Sequence, residues 1–191
     1  MSEAKKGLLF VISAPAGTGK TTLVRMLMEE FPKVVESVSF TTRSPRPNEI
    51  VGRDYFFISP EEFKQKISEG EFLECAEVFG FYYGTSQKFV EAQQEKGKHV
   101  VLVIDTQGAL QLKDKLDAIF IFISPPNFEE LKARLYRRKS ETEEAIHHRL
   151  SWAEKEMALA SSYDYHIVND NLKMAYDALR SILIAEEHRN R

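Results

Sequence analysis

Leu8-Leu9-Phe10-Val11-Ile12-Ser13-Ala14-Pro15-Ala16-Gly17-Thr18-Gly19-Lys20-Thr21 joins an unbroken apolar run to a glycine-rich turn, a cation and a hydroxyl. A continuous apolar run, rather than an alternating one, marks a strand buried on both faces of a parallel sheet. Beyond the turn, Leu23, Met26, Leu27 and Phe31 recur at helical spacing until Pro32 stops the pattern. The turn fits the phosphate-binding pattern GxxxxGK(S/T) except that Ala14 takes the first position. In that pattern glycines let successive backbone N–H groups and the helix N-terminus face an anion; Lys20 reaches the outer phosphates and Thr21 offers a hydroxyl to Mg²⁺. Ala is tolerated wherever φ is negative, and Gly17 and Gly19 are retained. A nucleoside triphosphate is the natural ligand of such a unit.

Outward from this unit, further strands are expected at Val34–Phe40, Tyr55–Ile58, Val100–Asp105, Ala118–Ile123 and Tyr165–Val168, alternating with helical patterns. Such alternation implies an α/β sheet. Between Val38 and Ser86 the rhythm changes: Pro45, Pro47 and Gly52 punctuate it and aromatic residues cluster, as in an inserted small subdomain. Phe128–Met157 is highly charged and helical, with apolar anchors at Leu131, Leu135, Ile146 and Leu150 and a break near Lys139-Ser140. This composition suits a mobile helical hairpin.

At 191 residues the chain is long enough for one domain with a sizeable core, and its 43% hydrophobic and 29% charged composition excludes a disordered or collagen-like polymer. A formal net charge of -3 supplies no global cationic field, so nucleic acid is not an expected partner. Cys75 is the sole cysteine, which excludes an intrachain disulfide and a multi-thiolate zinc site, and a reducing cytoplasm is expected. Cys75 itself reads as a small apolar residue with no reactive role. The apolar run at Leu8–Ile12 is far too short to span a membrane. The five histidines show no metal-ligand or triad spacing.

Two further regions carry chemistry. Val100–Asp105 places a carboxylate at the C-terminal end of a buried strand, where open α/β sheets put their ligands. Asp105 there reads either as a group facing magnesium-bound water or substrate, or as the cap of the next helix, and the two readings are compatible. In Phe40-Thr41-Thr42-Arg43-Ser44-Pro45-Arg46-Pro47, two arginines lie in a proline-stiffened loop, ready for a second phosphate or simply solvated.

The loop at Ser13–Thr21, the series Ser39-Phe40-Thr41-Thr42-Arg43-Ser44-Pro45-Arg46, Gly52-Arg53-Asp54-Tyr55, Glu71-Phe72-Leu73-Glu74, Tyr82-Tyr83-Gly84-Thr85 and Ile104-Asp105-Thr106-Gln107-Gly108 resemble the guanylate kinase family. The likeness continues in order through Ser124-Pro125-Pro126, Arg134 to Arg149 and Val168-Asn169-Asp170. It implies a P-loop NTPase fold: an α/β core with a parallel sheet flanked by helices, an inserted mixed α+β GMP-binding subdomain and a helical lid. The expected division of the single domain is a core at about 1–37, 86–126 and 158–191, the GMP subdomain at about 38–85 and the lid at about 127–157. The implied activity is a cytosolic Mg²⁺-dependent one in purine nucleotide metabolism, ATP + GMP ⇌ ADP + GDP, without a membrane or nucleic-acid partner.

Matched residue by residue, the resemblance implies ATP contacts along Ala14-Pro15-Ala16-Gly17-Thr18-Gly19-Lys20-Thr21-Thr22 and at Asn169. Arg43, Arg46, Tyr55 and Tyr83 match GMP-phosphate contacts; Ser39, Glu74 and Thr85 match guanine contacts, and Asp105 is a further GMP-side candidate. Arg134, Arg138 and Arg149 match lid and catalytic arginines, joining Lys20 and Arg43. An ionised Glu74 would accept from guanine N1–H and the 2-amino group, a donor pair adenine lacks. Thr21 is the metal candidate, with Asp105 acting through water. Many family members have an acid two residues before the Asp105 position, where this chain has Val103. Two rival readings are a guanylate-kinase-like protein-interaction module, opposed by the intact Lys20-Thr21, and a kinase for another nucleoside monophosphate, opposed by Glu74 with Ser39 and Thr85.

Overall fold

The computed structural model describes residues 6–137 and 142–190. Its first half runs β1 (Leu9–Ser13), α1 (Lys20–Glu30), β2 (Val34–Glu36), β3 (Phe40–Thr41), β4 (Phe56–Phe57), α2 (Pro60–Ser68), β5 (Phe72–Val78) and β6 (Phe81–Ser86). The second runs α3 (Gln87–Glu95), β7 (His99–Val103), α4 (Thr106–Leu112), β8 (Ile119–Ser124), α5 (Phe128–Arg137), α6 (Glu143–Ala158), β9 (Tyr165–Val168) and α7 (Leu172–Glu187).

All five residues of β1 are buried, and the strand lies in the middle of a five-stranded parallel sheet ordered β2-β7-β1-β8-β9. Successive side chains of a strand point to opposite faces. Phe10 and Ile12 accordingly pack with Leu23 and Leu27 of α1 and Leu179 and Leu183 of α7. Leu9 and Val11 face the other way, toward Val90 of α3 and Ala109 and Leu112 of α4. Covering both faces is what an unbroken apolar strand requires, and each fully buried Leu or Phe contributes about 1.5–3 kcal/mol. The parallel strands end together at one edge, so the loop after β1 and Asp105 after β7 are neighbours.

The single strand expected over Val34–Phe40 is two strands in different sheets. The last backbone bond to the parallel sheet is donated by Ser37 N–H to the Val101 carbonyl at 3.0 Å, and Phe40 then pairs with Phe56 and Gly84. The apolar alternation of Val34–Phe40 continues through the break without a turn residue, which conceals it.

The second sheet, ordered β4-β3-β6-β5, draws all its strands from Phe40–Ser86. Its core is aromatic: Phe63 of α2 is fully buried and stacks on Phe72 at 4.6 Å and Tyr82 at 5.5 Å between centroids. Gly84 passes so close that a Cβ there would lie 3.0 Å from both the Phe63 and Phe72 rings. α2 starts where Ser59 and Glu62 cap each other reciprocally, with Pro60 in the first turn.

Helices α5 and α6 form the charged hairpin, joined by Leu131, Leu135, Ile146, Leu150 and Ala153, and Ala16 of the glycine-rich loop packs on this cluster. The expected break at Lys139-Ser140, like Arg138, lies outside the described residues. Among the described residues no helix is long and apolar enough to cross a membrane.

Candidate functional site

The loop between β1 and α1 is shaped by two glycines in the left-handed region, Gly17 at φ 94° and Gly19 at φ 90°. A Cβ on Gly19 would also come within 2.7 Å of Asn169 Nδ2. No side chain caps α1, leaving its first N–H groups directed at the loop. Thr18 is buried and folds its hydroxyl onto the Pro15 carbonyl at 2.9 Å. The Thr18 carbonyl accepts from the Asn169 amide at 2.6 Å, and the Asn169 carbonyl accepts from Arg134 Nη1 at 3.0 Å. Asn169 and Arg134 thus brace the loop from behind, while Arg134 Nε also donates to Glu130 Oε1 at 2.8 Å.

Across the cleft stands the second sheet. Arg43, just after β3, donates from Nε to the Tyr83 hydroxyl at 3.3 Å, from Nη1 to the Ser44 carbonyl at 2.7 Å and from Nη2 to Glu49 Oε1 at 2.8 Å. Among the described residues, three of its five guanidinium N–H groups are thereby engaged. Glu49 Oε2 also accepts from the Arg46 backbone N–H at 2.7 Å, so one carboxylate ties down the segment bearing both arginines. Tyr55 meets Tyr83 edge-on at 5.8 Å, and burial pushes its pKa up to about 12, keeping its hydroxyl a donor at any working pH.

Glu74 reaches the cleft through a bulge. The β5–β6 register slips between Phe72 and Glu74, a device that bends a strand and re-aims a side chain. From there Glu74, Ala76 and Val78 line the cleft at the period of a strand. Glu74 is buried; Oε1 accepts from the Thr85 hydroxyl at 2.6 Å, and Oε2 sits where a Cβ on Gly108 would be 2.5 Å away. Burial raises its pKa to about 7, against the pull of the Thr85 hydrogen bonds. Desolvation disfavours the charged form of this carboxyl, and donors arriving at its oxygens would favour it.

Lys20, at the start of α1, lies on the floor between the two walls. Burial pulls its pKa down, while Glu156, Asp105 and Glu36 act in the opposite direction. Asp105 caps α4, its Oδ1 accepting from Gly108 N–H at 2.7 Å, and burial raises its pKa as well. Capping and facing the cleft are thus combined in one residue.

Of the residues singled out from sequence, the cleft brings together Ala14, Ala16 and Lys20 from the loop, and Ser39, Arg43, Arg46, Tyr55, Glu74 and Tyr83 from the second sheet's side. Asp105 and Arg149 complete that set. Thr85 stands behind Glu74. Pro15, Gly17, Thr18 and Gly19 shape the loop without lining the cleft, Thr21 and Thr22 are exposed on the first turn of α1, and Arg134 and Asn169 lie outside the cleft. Sequence reasoning missed Glu49, Phe79, Trp152 and Glu156. The spacing of Arg149, Trp152 and Glu156 puts all three on one helical face, a signal that was legible; nothing local marked Glu49 or Phe79. Glu156 is buried on the cleft wall, and burial raises its pKa.

The family model described as guanylate kinase matches residues 6–186. A guanylate kinase of Protochlamydia amoebophila (strain UWE25) is 57% identical over 185 residues, covering 97% of this chain and 94% of that protein. One from Chlamydia felis (strain Fe/C-56) is 52% identical over 183 residues, 95% of this chain and 90% of that protein. The crystal structure of guanylate kinase from Anaplasma phagocytophilum aligns with a TM-score of 0.81 at 37% identity, over 97% of this chain and 89% of that one.

Proposed function

The chain belongs to the guanylate kinase family, and from that premise we infer that it transfers the γ-phosphoryl group of ATP to GMP, giving ADP and GDP. The observation that carries the reading is the facing of two anion sites across one cleft: the glycine-rich loop with Lys20 on one side, Arg43 with Tyr55 and Tyr83 on the other. Transfer between two phosphates needs no covalent protein intermediate; it needs alignment of an acceptor oxygen with the γ-phosphorus and neutralisation of charge. The loop N–H groups and Lys20 hold the donor phosphates. Arg43, Arg46 and the two tyrosines hold the acceptor phosphate, and Arg149, with Arg134 from α5, supplies positive charge from the helical hairpin. Arg138 is part of the reading on resemblance alone.

Base selection falls to Glu74, with Ser39 and Thr85 beside it. Guanine presents two donors to one carboxylate; adenine would leave the ionised carboxylate unmatched. On this reading residues about 38–85 receive GMP, about 127–157 form the lid, and the rest is the core.

The donor set fits Mg²⁺. Among the described residues no cluster of three His, Cys, Asp or Glu side chains can hold a metal, so the site suits a cation that keeps its waters and binds through substrate phosphates. Thr21 would hold it, with Asp105 through water, and when bound it neutralises phosphate charge. A cytoplasmic location, with ATP and GMP as small-molecule substrates and no nucleic-acid or membrane partner, accords with the single half-buried thiol of Cys75 and the net charge of -3.

The test is coupled ADP release with ATP, Mg²⁺ and GMP, AMP, CMP, UMP or dTMP in turn. Turnover with GMP alone is expected; equal use of AMP would overturn the guanine assignment, and no GMP-dependent turnover would overturn the whole reading.

A further inference from the structure

The tightest turn of the second sheet carries a residue that backbone physics disfavours there. β5 and β6 are joined by two residues, Phe79 and Gly80, with φ of 53° and 79°, flanked by the pair Val78 and Phe81. Two positive φ angles define a type I′ hairpin, whose first position favours Asn, Asp or Gly. A bulky aromatic side chain with positive φ is an outlier, and such outliers cluster where function holds them. Phe79 is also 39% exposed, so burial in its own sheet does not explain it.

The ring is instead engaged across the cleft, on α6. It meets the His148 ring at 5.1 Å and the Trp152 ring at 6.2 Å, both edge-on, and the Arg149 guanidinium carbon stands 5.5 Å from its centroid. Phe79, Arg149 and Trp152 all line the cleft. An arginine over an aromatic face keeps its charge and its N–H fork while losing freedom of direction.

We propose that Phe79 is a positioning residue for phosphoryl transfer: its ring, held at the tip of the acceptor-side hairpin, seats Arg149 over the cleft and couples the acceptor sheet to α6. The proposal rests on the reading of Arg149 as a charge donor to the transfer. Strain in the turn is then the consequence of placing an aromatic ring at the hairpin tip, beside His148, Arg149 and Trp152 of α6.

Phe79→Asn separates this role from a structural one, because Asn-Gly is the preferred type I′ pair. The expected result is an unchanged or higher Tm with kcat about tenfold lower, KM for ATP and GMP moving less than about threefold, and emission of Trp152, the sole tryptophan, shifted to longer wavelength. Phe79→Trp should restore kcat, whereas Phe79→Leu, which keeps apolar bulk without a quadrupole, should not. In an Arg149→Ala background, Phe79→Asn should add no further loss. Wild-type kcat in Phe79→Asn or Phe79→Leu, with Arg149→Ala impaired, would overturn the proposal alone; full activity of Arg149→Ala would overturn the reading of Arg149 and the proposal with it. Additive losses in the double variant would also overturn it.

Discussion

On the proposed function, the two sides of the cleft recognise phosphate by different means. The donor side is written in the backbone: two left-handed glycines, an uncapped helix start and one lysine. The acceptor side is written in side chains, each set by another: Arg43 by Glu49 and Tyr83, Glu74 by Thr85 and Gly108. Backbone recognition is indifferent to what lies beyond the phosphates and resists most substitutions. Side-chain recognition can read a base, and each of its members can be altered separately. Substitutions on the donor side should therefore abolish turnover without changing preference, and those on the acceptor side should change preference or affinity first.

The largest effect is expected at Lys20, the cation of the donor side. Lys20→Ala should lower kcat by about 10²–10³-fold with the ranking of nucleoside monophosphates preserved, measured by coupled assay. A changed ranking would erase the division between the two sides. Next, Glu74→Ala should lower kcat/KM for GMP by about 10²-fold while leaving KM for ATP close to its original value, since the loss is of a buried hydrogen-bonded acceptor.

Acidity provides a finer probe of the same carboxyl. The Glu74 pKa lies at about 7 in the free protein, and binding guanine through two N–H donors requires the ionised form. Affinity for GMP should therefore be constant above pH 7 and fall about tenfold per unit as pH drops below it, because a proton must first leave. Glu74→Gln should remove the part of this slope centred near pH 7 in a titration of GMP binding across pH 5.5–8.5, leaving the part due to the GMP phosphate, whose second pKa is about 6. The smallest change is predicted for Glu49→Gln. It weakens the half-buried pair that orients Arg43 but leaves Arg43 in place, so KM for GMP should rise about three- to tenfold with kcat little altered.

Legibility in the sequence follows the same division. Leu8–Thr21 could be read outright, because an apolar run, glycines and Lys-Thr in that order have few other physical outcomes. Strand ends at β7, β8 and β9 fell within a residue or two of expectation. The break between β2 and β3 was hidden, since Val34–Phe40 alternates smoothly and only the partner strands show where it changes sheet. β5 and β6 lacked a hairpin signal because Phe79 stands where Asn would announce the turn. On the acceptor side, Arg43 stood out with Arg46 in a proline-stiffened loop and Glu74 emerged through family resemblance, but Glu49, which holds Arg43, did not. Its role depends on loop closure over six residues, which no period or motif encodes. Glu156 was missed for a different reason: its spacing from Arg149 and Trp152 places it on their helical face, but only its burial separates it from the other carboxylates of a charged helix.

Glu74 and Glu156 sit on opposite walls of one cleft, and burial holds both carboxyls above their ordinary range. On the proposed function, a triphosphate held at Lys20 would offset the cation that favours the ionised form of Glu156 and so favour its protonated form, and guanine would bring N–H donors to Glu74 and favour its ionised form. One nucleotide should then draw a proton from the buffer and the other return one. Titration calorimetry in Pipes and in Tris, whose ionisation heats differ, should record the two binding enthalpies shifting in opposite directions.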